Sequence, residues 1–202
     1  MPEATDPGET RRMALREMYL AEFAALRTEI GARSNTQHQL MALNITALAT
    51  IGGFVISQKA NPLLLLMLPL VCCSLGVIWH DHARNIENIG TYIKDELEPS
   101  LLDTVPLEPS ERPKVRGLQY EERIDRDELR ISSRVLPLAV PILILFGAFP
   151  AAGSVFALIT MLRQGVSAEI WFVWAAGVGM IGLYLWAWLV FVGAPYRRQA
   201  VS

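Results

Sequence analysis

The sequence predicts an all-α integral membrane protein with four transmembrane helices, cytoplasmic N and C termini, and helical cytoplasmic extensions. Three observations support this fold class. Hydrophobic residues make up 52% of the 202 residues, which is more than soluble domains usually contain. Four windows that are long enough to cross a bilayer contain no charged side chain. Lysine and arginine near these windows lie almost entirely on one side.

The four uncharged windows are residues 40–57, 62–79, 135–162 and 170–192. The first two have 18 residues each, and 18 residues of helix extend about 27 Å, close to the thickness of the hydrocarbon core. The last two are longer, so they can tilt or kink. We therefore predict two transmembrane hairpins, 40–79 and 135–192. Pro137, Pro141 and Pro150 predict a kinked third span whose freed carbonyls are satisfied by neighbouring helices.

The distribution of basic residues predicts the orientation. Only Lys59 and Arg163 lie on one side of the spans. The other side carries Arg27, Arg33, Arg84, Lys94, Arg116, Arg123, Arg126, Arg130, Arg134, Arg197 and Arg198. The positive-inside rule places this second side in the cytoplasm, which predicts a multi-pass protein of the plasma (inner) membrane. Because 39 mostly polar residues precede the first window, we expect that span to be an uncleaved anchor.

Amphipathic patterns predict helices outside the membrane as well. Residues 1–39 form a cytoplasmic amphipathic helix, and residues 80–134 form further helical arms around a proline-rich linker at 99–117. Residues 193–202 are a cytoplasmic tail. We expect the second arm to end at Glu98–Pro99. The apolar stripes that define the first two arms are Leu15, Tyr19, Phe23, Leu26 and Ile30, and Ile86, Ile89, Ile93 and Leu97.

The residue types in the triplet His80-Asp81-His82 are typical of a metal site, but helical geometry argues against one. Residues two apart on a helix point about 200° away from each other, so the two histidines cannot share an ion. We expect His80 to be solvated and His82 to face the partner helix. Gln37 and Arg33 lie at a similar depth on the first helix. A contact between His82 and Gln37, and a pH-dependent switch built on it, are hypotheses that follow.

The first span has two faces that are unlike a lipid-facing surface. Ala42, Thr46, Ala49, Thr50, Gly53 and Ser57 form a small and weakly polar stripe, whereas Asn44, Leu48 and Ile51 lie roughly opposite. Such faces are typical of close helix packing, of a subunit interface or of a water-filled path. The candidate pore or interface residues are therefore Asn44, Thr46, Thr50, Gly53 and Ser57.

Several classes of function are disfavoured by what the sequence lacks. The windows contain no Asp, Glu, Lys, Arg or His, the residues that ion-coupled carriers and proton relays usually need. Phosphate loops, metal-spaced cysteine pairs and nucleophile elbows are also missing, so we expect no enzyme activity, no cofactor and no bound metal. Balanced charge gives no reason to expect a nucleic-acid partner. Cys72 and Cys73 are adjacent and are expected to be buried thiols, with reversible lipidation as the alternative.

The runs "HARNIENIGTYIKDELEP" and "GLQYEERI" resemble a pattern found in uncharacterised bacterial four-span membrane proteins. A membrane hairpin with long cytoplasmic helices is also similar in plan to the SLATT-type membrane effectors, which typically have two spans. That resemblance implies a pore-type function and assigns no role to an individual residue.

Two classes of function follow. The first is an oligomeric membrane channel or pore-type effector, with a path lined by Thr46, Thr50 and Ser57 and a cytoplasmic helical layer that gates or senses. The second is a non-conducting adaptor or scaffold that binds a cytoplasmic protein. Homo-oligomerisation in the lipid bilayer is expected, because the apolar stripes and the two-faced first span offer more surface than one hairpin covers.

Overall fold

The computed structural model describes residues 7–57, 61–105 and 140–199, with side chains described as far as residue 190. Within these ranges the chain is helical and contains no strand. The helices are α1 (Pro7–Ile56), a 3-10 turn (Pro62–Leu66), α2 (Met67–Tyr92), a π-helical turn (Ile93–Leu97), α3 (Glu98–Asp103), a second π-helical turn (Ile144–Ala148), α4 (Phe149–Gln164) and α5 (Ala168–Gln199). The predicted all-α class is confirmed.

Four helices are long and apolar enough to cross a membrane: Gly8–Ile56, Pro62–Asp103, Val140–Gln164 and Ala168–Val190. These overlap all four uncharged windows, so the predicted number of spans is confirmed at the level of length and composition. The second and third spans each contain several buried residues and the fourth contains two, whereas Asn44 is the only buried residue in the first window.

Short polar and glycine signals set the two connections between helices. The side chain of Asn61 caps the 3-10 turn, accepting a hydrogen bond from the backbone N–H of Leu63 at 2.9 Å, and Pro62 occupies the first helical position. At the other connection Gly165 ends α4 with a φ of 64°, and its N–H donates to the Met161 carbonyl at 3.1 Å. A left-handed residue at this position favours glycine because it lacks a Cβ.

The chain divides into two compact units. The first comprises Met1–Ser34 and Asn85–Ser133 and is called the arm unit here. The second, the bundle unit, comprises Asn35–Arg84 and Arg134–Ser202 and contains the membrane-length apolar windows. The predicted third arm, residues 118–134, lies outside the described residues.

In the bundle unit two groups of buried side chains form the core. One joins the beginning of α2 to α4, and the other joins the middle of α2 to the second π turn and α5. The first consists of Leu65, Leu66, Leu68, Cys72, Ala157 and Met161, and the second of Cys73, Phe146 and Tyr184. Both cysteines are free and fully buried, as the sequence predicted.

In the arm unit the predicted end of the second arm at Glu98–Pro99 is wrong. The chain remains helical as far as Asp103, so the first residues of the predicted linker 99–117 are helical, and those from 106 onward lie outside the described residues. Pro99 is tolerated because the preceding turn is π-helical, and the N–H of Glu98 donates to Ile93 instead of Lys94. The proline then falls at the start of a new helical segment, where its missing N–H costs little.

Candidate functional site

One face of α1 docks against the rest of the bundle unit. Its members recur at alternating spacings of four and three residues, which is the seam pattern of packed helices. Asn44 is fully buried, and Met41 packs on the second core group, which contains Tyr184. The aliphatic members pack on the first core group, which contains Leu65. The docked face consists of Gln37, Met41, Asn44, Leu48, Ile51 and Val55.

Asn44 reaches across this seam to a backbone carbonyl 101 residues further along the chain. Its Nδ2 donates to the carbonyl oxygen of Leu145 at 3.1 Å. A carbonyl inside a helix normally accepts from the N–H four residues later. For Leu145 that donor would be the N–H of Phe149, which instead donates to Ile144 in the π turn. The Leu145 carbonyl is therefore open to Asn44.

Pro150 opens the next carbonyl in the same way. The α-helical donor to Phe146 would be the N–H of residue 150, which proline lacks. The thiol of Cys73 donates to the Phe146 carbonyl at 3.3 Å. Together, Asn44 from α1 and Cys73 from α2 satisfy the two carbonyls that the π turn and the proline release. The prediction that neighbouring helices satisfy carbonyls freed by the prolines is confirmed for Pro150.

Tyr184 of α5 adds a third contact to this segment. Its hydroxyl donates to the Ile142 carbonyl at 3.1 Å, and its ring is fully buried. Two glycines make room for the ring: a Cβ on Gly76 would lie 2.6 Å from Tyr184 Cε2, and one on Gly147 would lie 2.9 Å from Cε1. Sequence reasoning missed this contact. The available signal was a lone tyrosine near the middle of an otherwise apolar window.

The bond made by Asn44 adds little net stability. An intramolecular hydrogen bond contributes about 1 kcal/mol, and hydrogen bonds between membrane helices average roughly 0.6 kcal/mol. Against this, Asn44 Oδ1 is buried and has no hydrogen-bond partner in the described part of the chain. Leaving a buried polar atom unsatisfied costs about 1–3 kcal/mol. The balance is near zero or unfavourable.

The opposite face of α1 is exposed. Thr46, Thr50, Gly53 and Ser57 all lie on the surface, and a Cβ on Gly53 would meet no atom within 4 Å. The hydroxyl of Thr46 donates to the Ala42 carbonyl at 2.9 Å, and that of Ser57 donates to the Phe54 carbonyl at 3.0 Å. The candidate pore or interface set therefore divides into an inward Asn44 and four outward residues.

Gln37 and Arg33 make contacts that the sequence did not predict. Gln37 Nε2 donates to the Trp79 carbonyl of α2 at 3.3 Å, and among the described residues no hydrogen bond joins it to His82. Arg33 forms an ion pair with Glu29, one turn earlier on the same helix, at 2.7 Å. An exposed pair of this kind contributes only about 0.3–0.5 kcal/mol.

The predicted solvation of His80 is wrong. His80 is only 5% exposed, whereas His82 is half-buried. The His80 ring lies 5.4 Å from the Tyr184 ring at an interplanar angle of 33°, and makes an edge contact with Trp79. The error arose because the polar phase of His80 was judged from α2 alone, whereas α5 packs against that side. In the described ranges no group of three His, Cys, Asp or Glu side chains is arranged to hold a metal ion.

Comparison with known proteins finds no matching family model, no matching curated protein and no matching solved structure.

Proposed function

We propose that the chain forms a homo-oligomeric channel or pore-type effector of the plasma (inner) membrane, in which α1 of each copy turns its exposed small-residue face toward a shared axis. The division of α1 into a docked face and an exposed face carries this proposal. Small side chains let helices approach closely, and close approach is what drives association inside a bilayer. The exposed Ala42, Thr46, Thr50 and Gly53 supply such a face.

The chemistry of this face favours cations. The hydroxyls of Thr46 and Ser57 donate their protons to carbonyls of α1 itself, which leaves oxygen lone pairs as the outward polar groups. Oxygen lone pairs coordinate cations and repel anions. In a path lined by Thr46, Thr50 and Ser57, the oxygens of Thr46 and Ser57 would therefore favour cations without any formal charge in the spans.

The excess of lysine and arginine supports a cytoplasmic location for both termini and for the arm unit. In this orientation the arm unit is a cytoplasmic gating or sensing layer. α1 and α2 each supply helical residues to both units.

Cysteine cross-linking in membranes tests the shared axis. Thr50→Cys is expected to give disulfide-linked dimers under mild oxidation, whereas Leu48→Cys on the docked face is not. The native cysteines are fully buried, so the unmodified chain should form no disulfide-linked dimer and serves as the negative control. A chain that stayed monomeric in lipid at every concentration, or that cross-linked equally from both positions, would contradict the proposal.

Ion flux from proteoliposomes tests conduction. We expect a reversal potential that reports cation selectivity and a lower conductance in Thr46→Val, which removes a hydroxyl bonded within its own helix. Thr160→Val is the matched control, because Thr160 lies on α4 and its hydroxyl donates to the Phe156 carbonyl of its own helix at 3.1 Å. Absence of flux over a wide range of voltage and pH would exclude a channel.

A second candidate, a non-conducting adaptor, is favoured by apolar side chains on the arm unit. Met13 and Leu20 lie two turns apart on one face of α1 and are 50% and 44% exposed. An exposed apolar face on a helix is typical of a protein-binding surface. If Leu20→Glu abolished capture of a cytoplasmic protein, while Ala25→Glu preserved it and flux was absent, the adaptor would replace the channel.

A further inference from the structure

We propose that Asn44, assisted by Gln37, is a positioning residue that fixes the rotation and depth of α1 in the bundle unit and so determines which side chains α1 presents outward. Its consequence for conduction rests on the proposed function, whereas the positional role does not.

Carbonyls that are open to a donor from another helix are scarce in a bilayer. In a hydrocarbon environment nearly every helical carbonyl is already bonded within its own helix. The π turn and Pro150 release two carbonyls at one level of the bundle unit, and Cys73 takes that of Phe146. The Leu145 carbonyl remains for Asn44. Rotation of α1 by one residue, or a shift by one turn, would carry the amide away from this acceptor into surroundings that offer no water.

Gln37 provides a second fixed point. It lies seven residues before Asn44, so both amides project from the same face of α1. Gln37 donates to Trp79 of α2, whereas Asn44 donates to the segment that precedes α4. Two donors at different depths, each directed at a different neighbouring helix, define both the rotation and the depth of α1.

The outward hydroxyls of Thr46 and Ser57 do not favour one rotation of α1 over another. Because the hydroxyls of Thr46 and Ser57 are bonded to α1 itself, these residues are satisfied at any rotation of the helix. The unpartnered Oδ1 of Asn44 also indicates that this residue is not present for stability. A buried polar residue that stabilises little but has one matching partner typically specifies the register of helix packing.

Spin labelling of one chain per nanodisc tests this role. Single nitroxide labels at positions 42, 43 and 45–50 report the accessibility of each position to oxygen dissolved in the lipid. In the otherwise unmodified chain we expect maxima at 42, 46 and 50 and a minimum at 48. In Asn44→Leu we expect this periodic contrast to be lost or shifted in phase, while the helical circular dichroism and the thermal midpoint are unchanged or increased. Retention of both phase and contrast in Asn44→Leu would overturn the inference.

Matched control variants distinguish a change in the rotation of α1 from a nonspecific effect of substitution. Thr46→Val removes a hydroxyl that is bonded only within α1 and should leave the phase unchanged. Gln37→Leu should weaken the contrast, whereas Gln39→Leu, which alters an exposed amide two residues away, should not. If Asn44→Leu failed to fold, Asn44→Ala would take its place, because it removes the same donor to the Leu145 carbonyl without adding a larger side chain. A reduced or shifted contrast is expected there too, and an unchanged profile would overturn the inference.

The nanodisc holds a single chain, so the outcome does not depend on an oligomer. Loss of contrast in Asn44→Leu together with an absence of flux would exclude the proposed channel and leave the positional role intact. Flux with an unchanged profile in Asn44→Leu would exclude the positional role alone.

Discussion

Tyr184 lies in a slot whose width is set by glycines on two different segments. Gly76 of α2 and Gly147 of the second π turn approach opposite edges of its ring. Phe146 packs nearby, with ring centroids 6.4 Å apart, and His80 covers the ring from the α2 side. A side chain at either glycine would have to displace a fully buried aromatic ring.

Substitution of Gly76 by alanine is therefore expected to destabilise the bundle unit. The added Cβ would lie 2.6 Å from Tyr184 Cε2 and 2.9 Å from Phe146 Cβ. Overpacking of this kind costs about 1–3 kcal/mol. Thermal unfolding in detergent, followed by circular dichroism, measures the effect.

Gly179→Ala is the control, because a Cβ there meets no atom within 4 Å. It should stabilise by about 0.5–1 kcal/mol through the lower backbone entropy of the unfolded chain. Equal effects of the two substitutions would show that the slot is not rigid.

In the arm unit, Tyr92 is bonded to Glu22 of α1 through a hydroxyl-to-carboxylate hydrogen bond of 2.7 Å. This bond, reinforced by partial burial and by the nearby charges of Glu22 and Glu96, raises the pKa of Tyr92 above its ordinary value. Because the pKa of Tyr92 is higher in the folded state, the contact stabilises the fold fully at pH values below the unfolded pKa of about 10. Its contribution is lost as the pH rises through the folded pKa.

The difference in tyrosinate absorbance between the unmodified chain and Tyr92→Phe isolates this titration. Glu22→Gln removes the charged acceptor and should lower the pH at which Tyr92 ionises. Glu17→Gln, an exposed change on the same helix, should leave it unaltered. If Tyr92 ionised at the same pH in the unmodified chain, in Glu22→Gln and in Glu17→Gln, the assigned role of Glu22 would be refuted.

The two π-helical turns have the same arrangement of residues and hydrogen bonds. Each spans five residues and is followed by one further residue and then a proline, Pro99 or Pro150. In each, the residue before the proline donates five residues back, so two carbonyls lose their α-helical donors. In the arm unit these belong to the exposed Lys94 and Asp95. In the bundle unit, side chains of α1 and α2 replace the missing backbone donors.

The adjacent cysteines give a direct test of this replacement. Cys73 donates to the Phe146 carbonyl, whereas Cys72 has no hydrogen-bond partner among the described residues. In the infrared spectrum of Cys72→Ala, the remaining S–H stretch should appear at the lower frequency of a bonded thiol. In Cys73→Ala, it should appear at the higher frequency of a free thiol. Pro150→Ala should raise the frequency of the Cys73 band, because the new N–H competes for the same carbonyl.

Bands at the same frequency in the two cysteine variants would show that Cys73 does not donate. A Cys73 band that stayed at the bonded frequency in Pro150→Ala would show that the missing N–H of proline is not what opens the carbonyl.

The sequence correctly predicted features that depend on hydropathy and on the helical repeat. It did not predict features that depend on a contact with a helix distant in the chain. The number of spans, the buried cysteines and the opposition of Asn44 to the small-residue stripe follow from hydropathy and from the helical repeat. Burial of His80 depends on Tyr184, which lies on another helix. Nothing in the sequence around Asn44 identifies Leu145 as its partner, because that carbonyl is open only through the π turn. Helix beyond Glu98 was missed for a similar reason, since a π turn accommodates the proline.

At the scale of the molecule, polar groups in the spans are placed in two different ways. Inward groups such as Asn44 and the Tyr184 hydroxyl bond to other helices and hold the bundle unit together. Outward groups such as Thr46 and Thr160 donate to carbonyls of their own helices, so these two hydroxyls need no partner on another helix. This division lets a helix carry hydroxyls on an exposed face in lipid, where an unsatisfied donor would be costly.

The positive-inside distribution leads to a prediction about the whole chain. The proposed four membrane crossings would place both termini on one side, together with eleven of the thirteen basic residues counted near the spans. In intact cells, a membrane-impermeant maleimide should therefore label Ser167→Cys, at the connection between α4 and α5, but not Asp95→Cys in the arm unit. Both positions are exposed. Permeabilisation should make Asp95→Cys reactive. The unmodified chain should stay unlabelled, because both native cysteines are fully buried. Labelling of Asp95→Cys before permeabilisation would invert the proposed topology. It would also place the arm unit outside the cell, where it could not be a cytoplasmic gating layer or bind a cytoplasmic partner.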